Sequence, residues 1–412
     1  MSESPINNRK VLVLESRPDA LDFIVDYLNE LELEVTVFHE ASELLTQAEK
    51  SPVTAVIVDL LYSLSDPLSI VQRLAESPLD HRPRLIAISD KPYEFDRNRA
   101  INLGVDAYFI QPVKRENFLH QVESLLHDFV RVQFWGVRGT LPVPGPSSIR
   151  YGGNTSCVSM EFARGQHFVF DAGSGIRLLS DHLMKTPRRL QTKIFISHPH
   201  WDHINALPFF TPLYVQGNDI EILGASHADI SMRELMSAQM DGVYFPVNFT
   251  EFAARVYFRD LTEETIDVHG IKVSTILLSH PGNCLGYRVE YSGRKLCYVT
   301  DNELYPDYTA HYNERYRERL IDFIQGADIL ITDTTYTDEE YRSKVSWGHS
   351  SVEEVVEIAA QANVKTLYLF HHDPAQTDED IEKKHALSLA MVEELGSPMR
   401  VVAPAEGDTF VI

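Results

Sequence analysis

Residues 193–203, with the sequence KIFISHPHWDH, decide how the second half of this chain is interpreted. The apolar run KIFIS predicts a buried strand, and four potential metal ligands follow it within six residues. Imidazole and carboxylate groups at this density on a strand-end loop suit an ion of zinc, manganese or iron. A histidine-rich surface loop is the alternative reading, and the buried strand before the motif argues against it. The segment therefore predicts a metal site.

The His-x-His-x-Asp-His motif resembles the signature of the metallo-β-lactamase superfamily, and the family's other positions follow in order. Asp171 lies in FDAGSG before the motif, and His280, Asp301 and His371 lie after it, each near the end of a predicted strand. The resemblance implies two divalent metal ions, with zinc the best suited and manganese or iron as alternatives. It assigns His198, His200 and His280 to one ion, Asp202, His203 and His371 to the other, and Asp301 to both.

A second motif indicates the reaction. His349, in SWGHSS before a predicted helix, resembles the histidine that contacts the scissile phosphate in the phosphodiesterase and RNase Z branch of the superfamily. The resemblance implies that His349 protonates the leaving oxygen and that Asp202 also takes part in catalysis. Asp333 falls where that branch often has a carboxylate that orients this histidine, although an Asp side chain is short for the purpose.

Substrate contacts are predicted next to these groups. Asn154 and Thr155 follow two glycines in RYGGNTS, and such a loop could present backbone amides to a substrate. A tight turn with no ligand explains the same glycines equally well. His372 directly follows His371, and we expect it to line the site.

The charge of the chain narrows the substrate. Its 37 Lys and Arg residues against 60 Asp and Glu residues give a net charge of −23, which repels nucleic acid and anionic membranes. We therefore expect a small phosphodiester substrate, such as a cyclic nucleotide or another small cyclic phosphate, and neither DNA nor a membrane as partner. An RNase Z-like ribonuclease and a thioesterase of the glyoxalase II type are alternative metallohydrolases. A signalling scaffold with a structural metal site is an alternative of another class.

The first 130 residues contain five repeats of a short apolar run followed by a helix-period segment, which predicts a parallel sheet covered by helices. The strand ends carry Glu15, Asp59, Ser89 and Gln111, and these positions resemble those of a bacterial response-regulator receiver domain. In that family an acidic pair, a phosphoacceptor Asp, a hydroxyl and a Lys stand there. Ser16 replaces the second acid and Gln111 the Lys, so we expect a weak Mg²⁺ site and docking to an unknown signalling protein. A phosphorylation switch at Asp59 is the alternative.

These features predict an α/β chain with two domains. A flavodoxin-like (βα)5 receiver domain is expected over residues 1–130, followed by an αββα metallo-β-lactamase sandwich over residues 131–412. Three widely spaced cysteines without a CxxC pair favour a reducing compartment, and no run approaches 18 apolar residues. We therefore expect a cytoplasmic protein, which we predict to be a homodimer.

Overall fold

The computed structural model describes residues 10–15, 20–50, 53–62, 66–75, 83–126, 129–163, 165–185, 189–243 and 245–412. Ser16, which the sequence places at the receiver-like acidic pair, lies outside these described residues. The chain divides into two compact units, Met1–Phe129 and Val130–Ile412. Each unit is described by itself.

The first unit alternates strands and helices along the chain. Its five strands form a parallel sheet in the order β2-β1-β3-β4-β5, which is the flavodoxin-like order and confirms the predicted fold class. Strands β1, β3 and β4 are almost completely buried, as expected for a sheet with helices on both faces. The elements are β1 (Lys10–Leu14), α1 (Asp22–Glu30), β2 (Glu34–Phe38), α2 (Ala41–Lys50), β3 (Ala55–Asp59), α3 (Pro67–Ala75), β4 (Arg84–Ser89), α4 (Glu94–Asn102), β5 (Ala107–Ile110) and α5 (Arg115–Leu126).

The second unit is built on two seven-stranded sheets. The first sheet has the order β11-β10-β9-β8-β7-β6-β19, and the second has the order β12-β13-β14-β15-β16-β17-β18. The strands are β6 (Val130–Gly136), β7 (Cys157–Phe162), β8 (His167–Phe170), β9 (Gln191–Ile196), β10 (Asp219–Ala225), β11 (Arg255–Leu261), β12 (Thr265–Val268), β13 (Ile271–Leu277), β14 (Leu285–Tyr291), β15 (Arg294–Val299), β16 (Ile329–Asp333), β17 (Thr366–Phe370), β18 (Arg400–Val402) and β19 (Thr409–Val411).

Helices cover the outer faces of both sheets. The Ile220 and Ile222 side chains of β10 pack in one cluster with α6 and α8, and Val299 and Leu330 of the second sheet pack with α9 and α11. The helices are α6 (Ile176–Leu183), α7 (Trp201–Ile204), α8 (Met232–Ala238), α9 (Glu314–Ile324), α10 (Asp338–Tyr341), α11 (Val352–Gln361) and α12 (Asp378–Glu394), and short 3₁₀ turns lie at Pro146–Ser148, Leu207–Phe209, Thr211–Tyr214 and Phe249–Glu251.

Aromatic side chains fill the space between the two sheets. The ring centroid of Phe170, on β8, lies 5.7 Å from that of Tyr287 on β14 and 5.3 Å from that of Tyr298 on β15. Large rings suit this layer because they bury much apolar area and span the distance between packed sheets. The resulting order of layers is helix, sheet, sheet, helix, which confirms the predicted αββα sandwich.

The predicted metal ligands lie just beyond the carboxyl ends of strands in this sandwich. The HPHWDH segment follows β9 of the first sheet, while His280, Asp301 and His371 follow β13, β15 and β17 of the second sheet. The site is thus assembled from both sheets at one edge of the sandwich. Among the described helices, none combines the length and apolar character that crossing a membrane requires.

Candidate metal centre

A first group of ligand atoms gathers around His200. Its Nδ1 atom lies 2.8 Å from Nε2 of His198 and 3.1 Å from Nε2 of His280. The ligand atoms of these three histidines and of Asp301 all lie within 4.8 Å of one another. Three imidazoles and one carboxylate at this separation match a donor set for zinc and similar divalent metals.

A second group lies beside the first and uses the remaining ligands. Nε2 of His203 is 3.1 Å from Oδ2 of Asp202, and Nε2 of His371 is 3.2 Å from the same oxygen. The ligand atoms of Asp202, His203, Asp301 and His371 also lie within 4.8 Å of one another, and all four residues are buried. The structure thus brings the predicted ligands into two groups.

The Asp301 carboxylate belongs to both groups. Its Oδ1 lies 3.1 Å from Nε2 of His203 and 3.1 Å from Nε2 of His371. Its Oδ2 lies 3.6 Å from Nε2 of His198 and 3.7 Å from Nε2 of His280. One oxygen therefore faces each group, which is the arrangement that a carboxylate shared between two metal ions needs.

The protonation states of these groups suit metal binding. Burial lowers the pKa of His198, His200 and His280, so their imidazoles are neutral and offer lone pairs. Burial alone would raise the pKa of Asp301, but the imidazoles of His203 and its neighbours hold that pKa well below its usual range. Asp301 is therefore ionised, and the donor set fits divalent cations.

Asp171 orients the metal loop without belonging to either group. Its Oδ2 accepts hydrogen bonds from Nδ1 of His203 at 2.8 Å and from the Tyr298 hydroxyl at 2.7 Å. Its Oδ1 accepts one from the backbone N–H of Ser197 at 2.7 Å. Because Nδ1 of His203 donates to Asp171, Nε2 is the nitrogen through which His203 would bind a metal in exchange for its proton.

Three site residues at strand ends have a left-handed backbone conformation. The φ angles are 61° at Asp171, 42° at Asp301 and 60° at His371. Non-glycine residues rarely adopt this region, and such strain concentrates at functional sites. The sharp turns place these side chains at the edge of the sheets rather than along the strand faces.

A third group of side chains borders the second group and contains His349, the predicted general acid. Its members are Asp301, Asp333, His349 and His371. Nδ1 of His349 lies 2.8 Å from Oδ2 of Asp333, so the short Asp side chain does reach the histidine. Burial lowers the pKa of His349, but the ion pair with Asp333 outweighs it and raises that pKa to about 9. The His349 ring also stacks on that of His371, with centroids 4.9 Å apart.

A sequence profile described as "Beta-lactamase superfamily domain" matches residues 166–372, half of the chain, and spans the three groups of side chains just described. The chain belongs to this superfamily. The beta-lactamase superfamily fold implies divalent metal ions, and the His and Asp groups above are placed to hold them.

The chain is similar to several known proteins. A Ribonuclease Z from Bacillus cereus (strain B4264) is 26% identical over 265 residues, which cover 53% of this chain and 83% of the relative. The metallo-beta-lactamase fold protein YhfI from Bacillus subtilis aligns with a TM-score of 0.50 and 18% identity over 69% of this chain and 100% of its own, a likeness of fold alone. A putative response regulator from Chloroflexus aurantiacus J-10-fl covers 29% of this chain and 98% of its own, with a TM-score of 0.28 and 18% identity.

Several residues that position this beta-lactamase superfamily site have no recognisable motif in the sequence. The carboxylate of buried Glu303 accepts hydrogen bonds from the Tyr341 hydroxyl at 2.7 Å and from the backbone N–H groups of Ser346 at 2.6 Å and Gly348 at 2.7 Å. It thereby fixes the loop before His349. The Gly348 carbonyl accepts a 2.8 Å hydrogen bond from Nδ1 of His280, which leaves Nε2 of His280 free for a metal.

Gly139 and Gly348 allow close approach of backbone to ligand rings. A Cβ at Gly139 would lie 2.2 Å from the His371 ring, and a Cβ at Gly348 would lie 2.4 Å from Nδ1 of His280. Any larger residue would therefore displace an imidazole. The glycines of VRGT and WGHS are the only sequence signal of this packing, and alone they are indistinguishable from ordinary turn glycines.

The three predicted substrate contacts, Asn154, Thr155 and His372, are held by internal hydrogen bonds or buried, and their roles toward a substrate stay predictions. The backbone N–H and side-chain amide of Asn154 both donate to the Glu406 carboxylate, and the backbone N–H of Thr155 donates to the Ser174 hydroxyl at 2.9 Å. These hydrogen bonds hold the loop and occupy the backbone amides of Asn154 and Thr155. His372 is fully buried, and burial keeps its pKa well below the usual value, so its imidazole is neutral.

The receiver-like positions of the first unit are buried and occupied by local contacts. Oε2 of Glu15 accepts a hydrogen bond from the backbone N–H of Leu21 at 3.1 Å, and Oδ1 of Asp59 accepts one from that of Leu61 at 2.9 Å. The Ser89 hydroxyl accepts one from the backbone N–H of Lys91 at 3.1 Å. Glu15 directly follows β1, and Asp59 is the last residue of β3. Both carboxylates thus lie at strand ends of the parallel sheet, where the sequence places them.

Proposed function

We propose that the second unit is a metal-dependent phosphodiester hydrolase for small substrates, namely cyclic nucleotides or other small cyclic phosphates. The observation that carries this proposal is the Asp301 carboxylate, whose two oxygens face two separate groups of ligands. Two divalent ions held there, zinc being best suited and manganese or iron the alternatives, would activate water and neutralise the charge of a phosphate group.

Protein side chains carry the other steps. Because Nδ1 of His349 donates to Asp333, the Nε2–H is the free end of the ring and can give its proton to the leaving oxygen. Asp202 is held in place by the backbone N–H of Thr140, which donates to its Oδ2 at 2.7 Å. We assign to Asp202 the orientation of the attacking water as well as metal binding.

A ribonuclease of the RNase Z type is the second candidate, because the curated relative at 26% identity carries that name. The net charge of −23 opposes it, since a polyanionic substrate gains affinity from positive surface. Small phosphodiesters need only local neutralisation, which metal ions in the two groups would supply.

A substrate panel tests the proposal. The purified, metal-loaded chain is assayed with bis-p-nitrophenyl phosphate, a set of cyclic nucleotides, a precursor tRNA and a glutathione thioester, and Asp301→Ala is the control. The proposal expects hydrolysis of the phosphodiesters that the control lacks. Cleavage of only the tRNA would establish the ribonuclease, and cleavage of only the thioester would establish the thioesterase. Metal binding without any hydrolysis would favour the scaffold.

We further propose that the first unit binds a signalling protein through its receiver-like fold. Gln111 stands where receivers carry a Lys that pairs with the phosphoryl group, and an amide cannot neutralise it. Docking therefore explains this unit better than a phosphorylation switch. We also propose that the protein forms a homodimer and is located in the cytoplasm.

A further inference from the structure

We propose that Trp201 and Trp347 form a nucleobase-binding rim beside the candidate metal centre, so that the substrates are nucleoside phosphodiesters rather than cyclic phosphates without a base. This inference rests on the proposed phosphodiester hydrolysis. It names the part of the substrate that gives specificity.

The exposure of the two indoles is the first observation. The chain has three tryptophans, and only Trp135 is buried, at 6% exposure. The side chains of Trp201 and Trp347 are 83% and 62% exposed. Tryptophan is highly buried on average, so two exposed indoles on segments that carry or support metal ligands need an explanation, and a stacking ligand provides one.

Both tryptophans adjoin, along the chain, residues that belong to the first group of ligands or contact it. Trp201 is bonded in sequence to His200 and Asp202, and Trp347 is bonded to Gly348. His200 contacts His280 at 3.1 Å, and His280 donates to the Gly348 carbonyl at 2.8 Å. The backbone positions of Trp201 and Trp347 are therefore connected through contacts of His200, His280 and Gly348 beside the first group of ligands.

The backbone on both sides of Trp347 is fixed. Glu303 accepts from the N–H groups of Ser346 and Gly348, and the N–H of Trp347 itself donates to the Lys344 carbonyl at 3.1 Å. The loop is thus held although the side chain it presents is exposed. A fixed backbone reduces the conformational entropy that is lost when a flat ligand stacks on the exposed indole.

Trp201 is fixed in a different way. It is the first residue of α7, and the next two residues of that helix, Asp202 and His203, are buried among the ligands. The backbone of Trp201 is therefore fixed relative to the ligand groups. Stacking on aromatic side chains tolerates any base, because every nucleobase has a π-face. In a chain of charge −23 such contacts add affinity that long-range electrostatics do not supply.

The proposal is tested with two substrates that share a leaving group. Thymidine 5′-(p-nitrophenyl phosphate) has a base, and methyl p-nitrophenyl phosphate lacks one. We expect the native chain to prefer the thymidine compound in kcat/KM, and Trp347→Ala to reduce that preference roughly tenfold or more, as expected when base stacking is lost. Trp201→Ala should act likewise and Trp201→Phe less, with metal content measured because the residue adjoins ligands.

Tyr257→Ala is the matched control. Tyr257 is an exposed aromatic residue, at 54%, in the middle of edge strand β11. We expect this variant to keep both rates and the preference. If the Trp347 and Trp201 variants kept the native preference for the thymidine compound, the proposed nucleobase-binding rim would be wrong. If the native chain hydrolysed neither substrate, the proposed function would be wrong instead.

Tryptophan fluorescence provides a readout that does not depend on hydrolysis. Thymidine 5′-monophosphate should quench the emission of the native chain, and ribose 5-phosphate should not. The double variant Trp201→Phe, Trp347→Phe retains only buried Trp135, and its emission should not respond. No quenching of the native chain by the nucleotide would contradict the proposal. Quenching by an oligoribonucleotide alone would overturn the assignment to small substrates.

Discussion

Nδ1 of His349 lies 2.8 Å from Oδ2 of Asp333, and the Thr335 hydroxyl lies 2.6 Å from the other oxygen of the same carboxylate. Asp333 is fully buried at the end of β16, so its position is set by the sheet. This carboxylate therefore defines which nitrogen of His349 faces the site.

The first prediction concerns this pair. His349→Ala should lower kcat by about 10²–10⁴-fold while metal content is retained, because a general acid contributes to rate without holding an ion. Asp333→Asn should lower kcat less, since the histidine remains. The measurements are steady-state rates on a substrate with a poor leaving group and elemental analysis. His311→Ala, at an exposed histidine, is the control. An unchanged kcat in His349→Ala would show that the residue is not the acid.

The second prediction concerns metal stoichiometry. The native chain should hold about two ions, and Asp301→Ala should lose at least one of them and nearly all activity, because Asp301 faces both ligand groups. Metal content after dialysis, measured by elemental analysis, checks this. Asp307→Ala removes an exposed carboxylate from the following loop and should change neither quantity. Full metal content in Asp301→Ala would refute the bridging role.

The third prediction concerns Lys384, a buried lysine of α12. Its ammonium donates to the carbonyls of Thr334 at 2.6 Å and Thr335 at 3.2 Å and to Oε1 of Gln376 at 2.8 Å. Burial lowers the pKa of Lys384 to about 7, although nearby carboxylates such as Glu340 act in the opposite direction.

The sign of the effect follows from proton uptake on unfolding. Between pH 7 and 10.5 the unfolded chain keeps the Lys384 proton that the folded chain has lost, so stability from this group rises by about 1.4 kcal/mol per pH unit. Below pH 7 Lys384 is protonated in both the folded and the unfolded chain. The folded chain then bears the full free-energy cost of burying the charge. Lys384→Met should remove this slope from urea unfolding curves of the second unit. Its exposed neighbour offers the control Lys383→Met, which should keep the slope. If the free energy of unfolding changed with pH in the same way in the native chain and in Lys384→Met, the lowered pKa assigned to Lys384 would be disproved.

The fourth prediction concerns the first unit. Acetyl phosphate with Mg²⁺ should leave the mass of the native chain and its hydrolytic rate unchanged, because Gln111 cannot neutralise a phosphoryl group near Asp59. Intact-mass spectrometry checks the adduct, with Asp59→Ala as the reference. Deleting residues 1–129 should change oligomeric state or partner binding more than kcat. A phosphoryl adduct that Asp59→Ala abolishes, together with a several-fold change in rate, would restore the phosphorylation switch.

Buried strands were the most predictable part of the fold. The apolar run at residues 85–88 lies within β4 (Arg84–Ser89), because a parallel strand buried on both faces is continuously hydrophobic. The edge strand β11 has no comparable signal in the sequence, since its residues RVYFRDL mix apolar and charged side chains on an exposed edge. The three-residue strand β19 carries no usable periodicity at all.

The metal ligands of the site could be predicted from the sequence, whereas the residues that position those ligands could not. Four ligands crowd into residues 198–203, and that density is itself a signal. Glu303 shows no such pattern, because its partners, Tyr341, Ser346 and Gly348, are distant in sequence and meet it only after folding. For the same reason the internal hydrogen bonds of Asn154 and the burial of His372 were not foreseeable.

The pairing of β19 with β6 places Phe410 opposite Val132, which joins the two ends of the second unit within one sheet. Closing so long a loop has a high entropic cost, and contacts this distant in sequence slow folding. His198 and His371 likewise come from different sheets, so the ligand groups exist only after both sheets have met. We therefore expect metal uptake to report on the final stage of folding, and a chain that stops before β19 to bind metal poorly even though it contains every ligand.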